Sequence, residues 1–488
     1  MTHPASKNGE HEARRFFSHE QIMGVIWGLM LAMFLAALDQ TIVAIALYSI
    51  ATELQGEALM PWVISGYLVV ATVATPIYGK LSDLYGRWPL LSTAIAIYLC
   101  ASLASALAQT MPQLLAFRLL QGLGGGGLIV LVQTIIGDIV PRQQRGRYQA
   151  YLSGVFAVAA IAGPSVGGLL TEYFSWRAVF LINIPLGLLA WFSTRRGLAN
   201  LPRSSRDKPI DYAGALLLGT TLACAMIALV QIGRGQSLWS PASLTLLIVS
   251  LLSLAALRWR EQYAADPVLP PELFANRPVV LCCSVLGLNF LILYGSIVLA
   301  PWAMQTLGRA SAGQMALLML PFTLGVPLGS YVSGKSMQTA SRERLLLSGG
   351  SALAGLGSLA TAFMSYEPGL LLSVCLFVIG TGIGLCIPAS IVTVQAAVRP
   401  PMIGIATATS GMFRTLGGAL GIAVMSSALF ATVSASNRGG PVVEQLSDID
   451  PTLLSNGFRS AFLVAAAAGL TATILAQCLR RPTNDTLR

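Results

Sequence analysis

The chain reads as a series of apolar runs separated by short polar stretches. The runs fall at 22–47, 61–79, 89–108, 113–137, 149–170, 177–194, 212–232, 241–257, 279–304, 313–334, 345–364, 369–397, 403–430 and 457–479. Each reaches the length of about 17 residues or more that an α-helix needs to cross a bilayer. The pattern predicts fourteen transmembrane helices joined by short connections, with no soluble domain of useful size between them. The first twenty residues are polar and lack an apolar core followed by a cleavage site, so the first run is expected to act as an uncleaved insertion signal.

Composition agrees with this division. The chain has 488 residues, 55% hydrophobic and 10% charged, where a soluble protein carries about 25% charged residues. The three histidines, His3, His11 and His19, all precede the first run. Histidine-dependent hydrolysis and histidine metal sites are thereby excluded from the bundle, and no cofactor or metal is expected. The seven cysteines lie in or beside apolar runs, which suits thiols in a helix bundle better than a disulfide framework.

Charge adds an orientation. An even number of spans puts both termini on one side. Of the 30 Lys and Arg, 23 fall in segments on that side, five on the other, and two, Arg118 and Arg414, inside spans. By the positive-inside rule both termini are expected in the cytoplasm. The net charge of +10 then reports topology and not a nucleic-acid partner.

The chain also resembles itself at an offset of 255 to 257. Gly79, Lys80 and Arg87 recur as Gly334, Lys335 and Arg342. Pro112, Gly124 and Gly126 recur as Pro368, Gly380 and Gly382, and Ser153-Gly154-Val155-Phe156 recurs as Ser410-Gly411-Met412-Phe413. This predicts a tail at 1–20, a six-helix half at 21–196, linkers with two inserted helices at 197–277, a second six-helix half at 278–480 and a tail at 481–488. Parallel six-helix repeats are the build of a large transporter class that holds substrate between its halves.

Five local patterns make the resemblance specific. They are Leu38-Asp39-Gln40-Thr41-Ile42-Val43, Gly79-Lys-Leu-Ser-Asp83-Leu-Tyr-Gly86-Arg87, Arg118-Leu-Leu-Gln121-Gly122-Leu-Gly124, Gly163-Pro164-Ser-Val-Gly167-Gly168, and Trp176-Arg177 followed by Asn183-Ile184-Pro185. With these, the sequence resembles a major facilitator superfamily transporter of the fourteen-helix drug:proton antiporter family. It departs from the family pattern at Tyr48, Leu84, Trp88 and Ala159. The resemblance implies an all-α polytopic fold in a bacterial inner membrane, small-molecule and proton substrates, and a monomer. It leaves a periplasmic adaptor and outer-membrane channel open as partners.

The resemblance also assigns roles. Asp39 and Arg118 take part in proton coupling. Gly79, Asp83, Gly86 and Arg87 form a latch between the halves, and Gly154, Gly163, Pro164, Gly167 and Gly168 shape antiport. The residues themselves leave an alternative open at each place. A carboxylate inside a span is expensive and faces a cavity, a partner or a proton path, so Asp39 either titrates or braces the first span to the fourth. The loop glycines and Asp83 are either a latch or a solvated turn. In the second half Gln338 stands at the Asp83 position. Arg414 has no visible acidic partner in the bundle and faces helix carbonyls or an anionic or acceptor-rich substrate.

Two other patterns are rejected. Gly122-Leu-Gly124-Gly125-Gly126-Gly127 fits a dinucleotide fingerprint, but no strand precedes it. Gly163-Pro164-Ser165-Val166-Gly167 fits a nucleophile elbow without a histidine to serve it. Both read as small-residue packing surfaces. Candidate walls of a substrate pocket are Phe34, Gln121, Gln133, Asn289, Phe290, Tyr294, Phe413 and Arg414. The resemblance implies a proton-driven exporter of amphipathic molecules, with an exporter of one metabolite or siderophore as the alternative. The histidine-free bundle opposes a membrane-embedded enzyme, and no signalling domain is expected for a sensor that does not transport.

Overall fold

The computed structural model describes residues 19–55, 59–140, 142–198, 211–233, 236–264, 267–308, 312–337, 342–364, 366, 369–436 and 450–479. Among them are fourteen long helices: α1 (His19–Glu53), α2 (Met60–Tyr85), α3 (Arg87–Ala106), α4 (Met111–Ile139), α5 (Arg142–Tyr173), α6 (Asn183–Leu198), α7 (Tyr212–Gly233), α8 (Pro241–Tyr263), α9 (Arg277–Thr306), α10 (Ala312–Ser336), α11 (Glu343–Ala362), α12 (Leu370–Ala396), α13 (Ile403–Ser436) and α14 (Pro451–Gln477). Thirteen belong to a described stretch long and apolar enough to cross a membrane, that of α6 beginning in the preceding turn at Ala178. The other, α5, has 32 residues and contains the apolar run 149–170. The tails 1–18 and 480–488 and much of the linker after α6 lie outside the described residues.

Helix starts follow local chemistry. Thr110, Ser240, Asn276 and Asp450 each accept a backbone N–H of the first turn on their side chain, and each precedes a proline at the helix start. These side chains satisfy donors that the helix leaves orphaned. Several helices outrun their apolar runs, α1 by six residues to Glu53 and α13 by six to Ser436. Continuing a helix keeps backbone N–H and C=O groups paired past the end of the apolar segment. The sixth run differs from expectation. It begins as one turn, Ala178–Leu181, and restarts at Asn183, because Pro185 has no N–H to give the Leu181 carbonyl.

Each half buries an apolar core of its own. One joins Leu29, Tyr67, Tyr98, Leu131, Leu152 and Ala190 of α1–α6, and the other joins Leu299, Phe322, Ala354, Ile379, Leu429 and Phe462 of α9–α14. Equivalent helices meet equivalently, but the register of the repeat needs one correction. A Cβ on Gly122 would lie 2.5 Å from the Tyr67 carbonyl, and one on Gly126 would strike that of Ala71. In the second half Gly380 abuts Phe322 and Gly384 abuts Val326. Gly124 packs on Ala94 and Tyr98, and Gly382 packs on Gly350 and Ala354. The equivalent glycines are therefore 122/380, 124/382 and 126/384, two residues out of step with the sequence match of Gly124 and Gly126 to Gly380 and Gly382. In these rows any side chain would separate backbones that touch, so contact partners align the helices better than matching letters do.

The inserted pair lies at the edge. Only 22% of the apolar window of α8 and 33% of that of α7 is buried inside the protein, so most of it faces lipid. Leu218 and Leu222 of α7 and Leu257 of α8 share a core with residues of α9 and α11–α14, while α7 also touches α2 at Gly219 and Val73. The halves themselves meet chiefly where α2 packs on α13 and α5 on α10.

Candidate functional site

Three groups of polar residues stand inside or between the halves. The first is a buried cluster in the N-terminal half. Asp39 of α1 pairs with Arg118 of α4, Nη1 to Oδ2 at 2.6 Å, and both side chains are almost completely buried. Gln121 and Asn183 donate to the other carboxylate oxygen at 3.1 and 3.3 Å. Both also donate to Ser102 of α3, at 2.7 and 3.1 Å. Arg118 donates further to Gln121 Oε1 at 2.7 Å and to the Val63 carbonyl at 3.3 Å, and its guanidinium lies 4.5 Å from the centre of the Tyr67 ring.

The two opposite charges balance, and α1, α3, α4 and α6 all contribute to holding them. Along the 2.6 Å contact the carboxylate oxygen can only accept, since a proton placed there would face an Arg118 N–H, donor against donor. Gln121 belongs to this cluster and not to a substrate wall, as sequence reading had placed it. Its position one turn after Arg118 on the same helix face would have signalled this. Asn183 stood in a quoted pattern without a role, and nothing in the sequence singles out Ser102.

The second group is a cavity between the halves. Its volume is about 200 Å³, and its walls come from α1, α2, α4, α5, α9, α10, α12 and α13. Of the expected wall residues, Gln133, Phe290, Tyr294 and Arg414 line it, and Gln40 and Gln149 join them. Phe34, Gln121, Asn289 and Phe413 are not among its lining residues. Phe34 packs into the core of the first half, and Phe413 packs against Gly287 of α9 and the neighbouring core. Asn289 is fully buried and donates to the Val285 carbonyl and to Ser351, each at 2.9 Å. Each of these sits on a cavity-lining helix but about a quarter-turn or more from the open face, which a helical wheel without neighbours does not reveal. Gln40, next to Asp39 in sequence, brings the cavity wall to the residue beside the buried pair.

The third group is a charged seam at the end of the bundle where α2 meets α3. Gly86 joins the two helices directly with φ of 92°, a conformation in the left-handed region that suits glycine. Asp83 and Arg87 form an ion pair at 2.6 Å, Arg87 also pairs with Asp138 of α4 at 2.6 Å, and its Nη1 donates to Ser82. The second Asp83 oxygen accepts the backbone N–H of Ile405 at 3.1 Å. Ile405 lies in the first turn of α13, so a carboxylate of one half sits on the positive end of a helix of the other.

Close approach makes this contact possible. A Cβ on Gly404 would collide with the Asp83 carboxylate, and one on Gly79 would lie 2.5 Å from Ala408. The mirror crossing places Gly146 of α5 against Gly334 of α10, and Gln338 lies outside the described residues. Gln395 of α12 also reaches across, donating to the Gln133 carbonyl at 3.3 Å and to Thr407 at 3.1 Å. Sequence reading named Asp83 and Arg87 but missed Asp138, Gly404, Ile405 and Gln395, because their relevance exists only across the seam.

The helix 5 pattern divides. Gly163 faces Thr41, whose hydroxyl donates to Leu38 and Ala159 carbonyls at 3.0 and 3.1 Å and so ties α1 to α5. A Cβ on Gly167 would lie 2.9 Å from the Ile42 side chain. Gly154 and Gly168 have nothing within 4 Å of where a Cβ would be, so the expected packing surface stops short of them. The side chain of Pro164 lies outside the described residues.

This arrangement of halves around a central cavity accompanies a match to known proteins. Residues 29–422 match the model of the Major Facilitator Superfamily. The chain belongs to the major facilitator superfamily. That is a family of transporters and not of enzymes, and the chain is a multi-pass membrane protein.

Among curated relatives in this superfamily, it is 30% identical over 410 residues to the multidrug transporter protein MdtP of Bacillus subtilis, covering 83% of this chain and 75% of the relative. It is 31% identical over 404 residues to multidrug resistance protein 3 of the same organism, covering 82% and 78%. It is 32% identical to an uncharacterized MFS-type transporter, Rv1877, of Mycobacterium tuberculosis, covering 83% of this chain and 59% of that one. The human organic anion transporter MFSD10 shares the major facilitator fold, with a TM-score of 0.63 over 93% of this chain and 99% of its own at 16% identity. A proton:xylose symporter does so equally, at 0.63 over 94% and 95% with 16% identity.

Proposed function

We propose that this protein is a proton-driven antiporter of the fourteen-helix drug:proton type, exporting amphipathic small molecules by alternating access. The observation that carries this reading is the neutral, buried Asp39–Arg118 pair one residue from the cavity wall at Gln40. Parting the pair frees a carboxylate for a proton, and parting it also disturbs α1, α3, α4 and α6 around the cavity. Proton uptake and reshaping of the cavity are then one event. The closed cavity is smaller than the roughly 300–1,000 Å³ of drug-binding pockets, so substrate entry requires the halves to separate.

In this scheme the Asp83 seam is the latch. Asp83, Arg87 and Asp138 together carry one excess negative charge, set against the N-terminus of α13, an interaction worth about 0.3–2 kcal/mol. A contact of that size holds one state without locking it. The excess of Lys and Arg in the loops assigns the Asp83 end and both termini to the cytoplasm, within a bacterial inner membrane, and the unit is a monomer. The division into halves at 21–196 and 278–480 around an inserted pair belongs to the same reading. Multidrug relatives at about 30% identity support export of drugs.

The test is transport by the purified protein in proteoliposomes. A fluorescent amphipathic dye should be expelled from the Asp83 side when a pH gradient is imposed, and proton movement should accompany it. Dye movement that ignores the gradient would refute proton coupling. Protection of an efflux-deficient host against a single compound would favour a dedicated metabolite exporter over a multidrug one.

A further inference from the structure

The cavity between the halves has one charged side chain on its wall, and it is a cation. Arg414 of α13 lines the space, and its guanidinium lies 5.5 Å from the centre of the Phe290 ring. No carboxylate among the described residues lies within ion-pair distance of it, and no Asp or Glu is among the lining residues. Asp39 does not fill this role, because both its oxygens are engaged by Arg118, Gln121 and Asn183 and its side chain is fully buried. A second donor points the same way. Gln149 of α5 lines the cavity, is 2% exposed, and its amide nitrogen has no hydrogen-bond partner among the described residues.

A cation without a carboxylate partner inside a membrane-spanning bundle is costly, and a bound anion offsets that cost. A bound cation would add like charge in a medium that screens it poorly. The Phe290 ring already faces the Arg414 guanidinium, which takes up one aromatic face that could otherwise attract an organic cation. Tyr294 stacks beside Phe290 with ring centres 6.1 Å apart, and Gly418 lets it lie close to α13, where a Cβ would come within 2.7 Å of the ring. The wall thus combines an apolar shelf of Phe290 and Tyr294 with a cation from α13 and an amide donor from α5, one polar group from each half.

We propose that this cavity selects amphipathic organic anions, with the carboxylate or sulfonate at Arg414 and Gln149 and the apolar body on Phe290 and Tyr294. The inference rests on the export reading above and names its cargo. It also fits the energetics of export, because an anion leaving a negative interior moves with the membrane potential. Donors from α5 and α13 on one anionic group bridge the two halves, so that cargo itself draws them together.

The test compares two ligands of the same ring and opposite charge, naphthalene-2-sulfonate and 2-naphthyltrimethylammonium, by calorimetry on the full-length protein in lipid nanodiscs. The wild type should bind the sulfonate at least tenfold more tightly, the size expected for a charge-assisted hydrogen bond. Arg414→Gln should lose the sulfonate by about tenfold or more and leave the ammonium unchanged or tighter, while Arg414→Lys should keep most of the preference. Equal or better binding of the ammonium by wild type overturns the proposal, as does absence of sulfonate binding, and neither result depends on a variant folding. Equal weakening of both ligands by Arg414→Gln also overturns it, since that marks a structural arginine. Sulfonate bound but not driven by a pH gradient in proteoliposomes would leave the anion site standing and remove the export reading. Proton-driven export of the ammonium without sulfonate binding would do the reverse.

Discussion

Replacing Asp39 with asparagine separates a proton site from a brace, provided that Arg118 is varied with it. In Asp39→Asn the amide keeps an oxygen for Gln121 and Asn183, but its nitrogen or its neutral oxygen faces a guanidinium that had a carboxylate at 2.6 Å. Arg118 retains Gln121 Oε1 at 2.7 Å, the Val63 carbonyl at 3.3 Å and the Tyr67 ring. Breaking a buried pair costs about 3–5 kcal/mol, and these remaining partners place the loss near the lower limit, at about 3 kcal/mol. Removing both charges in Asp39→Asn/Arg118→Gln leaves no unpaired ion, so most of the loss should return, to within about 1 kcal/mol of wild type. Stability is read by reversible unfolding in detergent mixtures followed by tryptophan fluorescence. Transport is read in proteoliposomes as pH-driven efflux and as substrate exchange at equilibrium. A proton site predicts that pH-driven efflux collapses in the single and the double variant alike, while exchange persists in the more stable double variant. Recovery of pH-driven efflux in the double variant would refute the proton role and leave Asp39 as a brace. Undiminished efflux in the single variant would refute it outright.

Asp83→Asn should weaken the seam by about 1 kcal/mol, the charge being lost while an acceptor for Ile405 remains, and shift the balance toward the open Asp83 end about fivefold. Spin labels on exposed Tyr85 and Leu345 should report longer distances, and an unchanged distribution would deny the latch. Gly404→Ala, which pushes a methyl group into the Asp83 carboxylate, should act in the same direction. Gly163→Leu should abolish efflux by striking Thr41, whereas Gly168→Leu, at a position where a Cβ meets nothing within 4 Å, should remain active, and equal loss in both would remove the packing account. At the opposite end, Glu53 pairs with Arg177 at 2.5 Å and accepts from Trp176 at 2.7 Å. Those hydrogen bonds, Arg177 first, hold its carboxyl below the usual range. A lowered carboxylate contributes at neutral pH and loses its contribution as pH falls below about 4. Hydrogen exchange in the turn 175–182, corrected for its intrinsic pH dependence, should accelerate there, and Glu53→Gln should be fast already at neutral pH.

Span number and order, the class of the protein and the identity of the deep charges were legible in one dimension. Crossing a bilayer demands about 20 apolar residues at a stretch, and few charges tolerate such a stretch, so Asp39, Arg118 and Arg414 stand out against it without any coordinates. Asp39 and Arg118 could even be named as partners by elimination, since no other deep acid was available. What that reasoning could not reach is which face of a helix meets which neighbour. The apolar circumference of these helices carries no stripe, as lipid and protein core are both apolar, so periodicity cannot tell a cavity wall from a packed flank. Gln121 and Gln133 lie twelve residues apart on α4, yet one completes the buried pair and the other lines the cavity. The same limit explains the two-residue slip in the glycine repeat, whose true register is set by backbone contacts with Tyr67, Ala71 and their counterparts. It explains the seam as well. Asp83 and Ile405 are separated by 322 positions, and only the tertiary fold, by crossing α2 over the start of α13, places a carboxylate where a helix end can hold it.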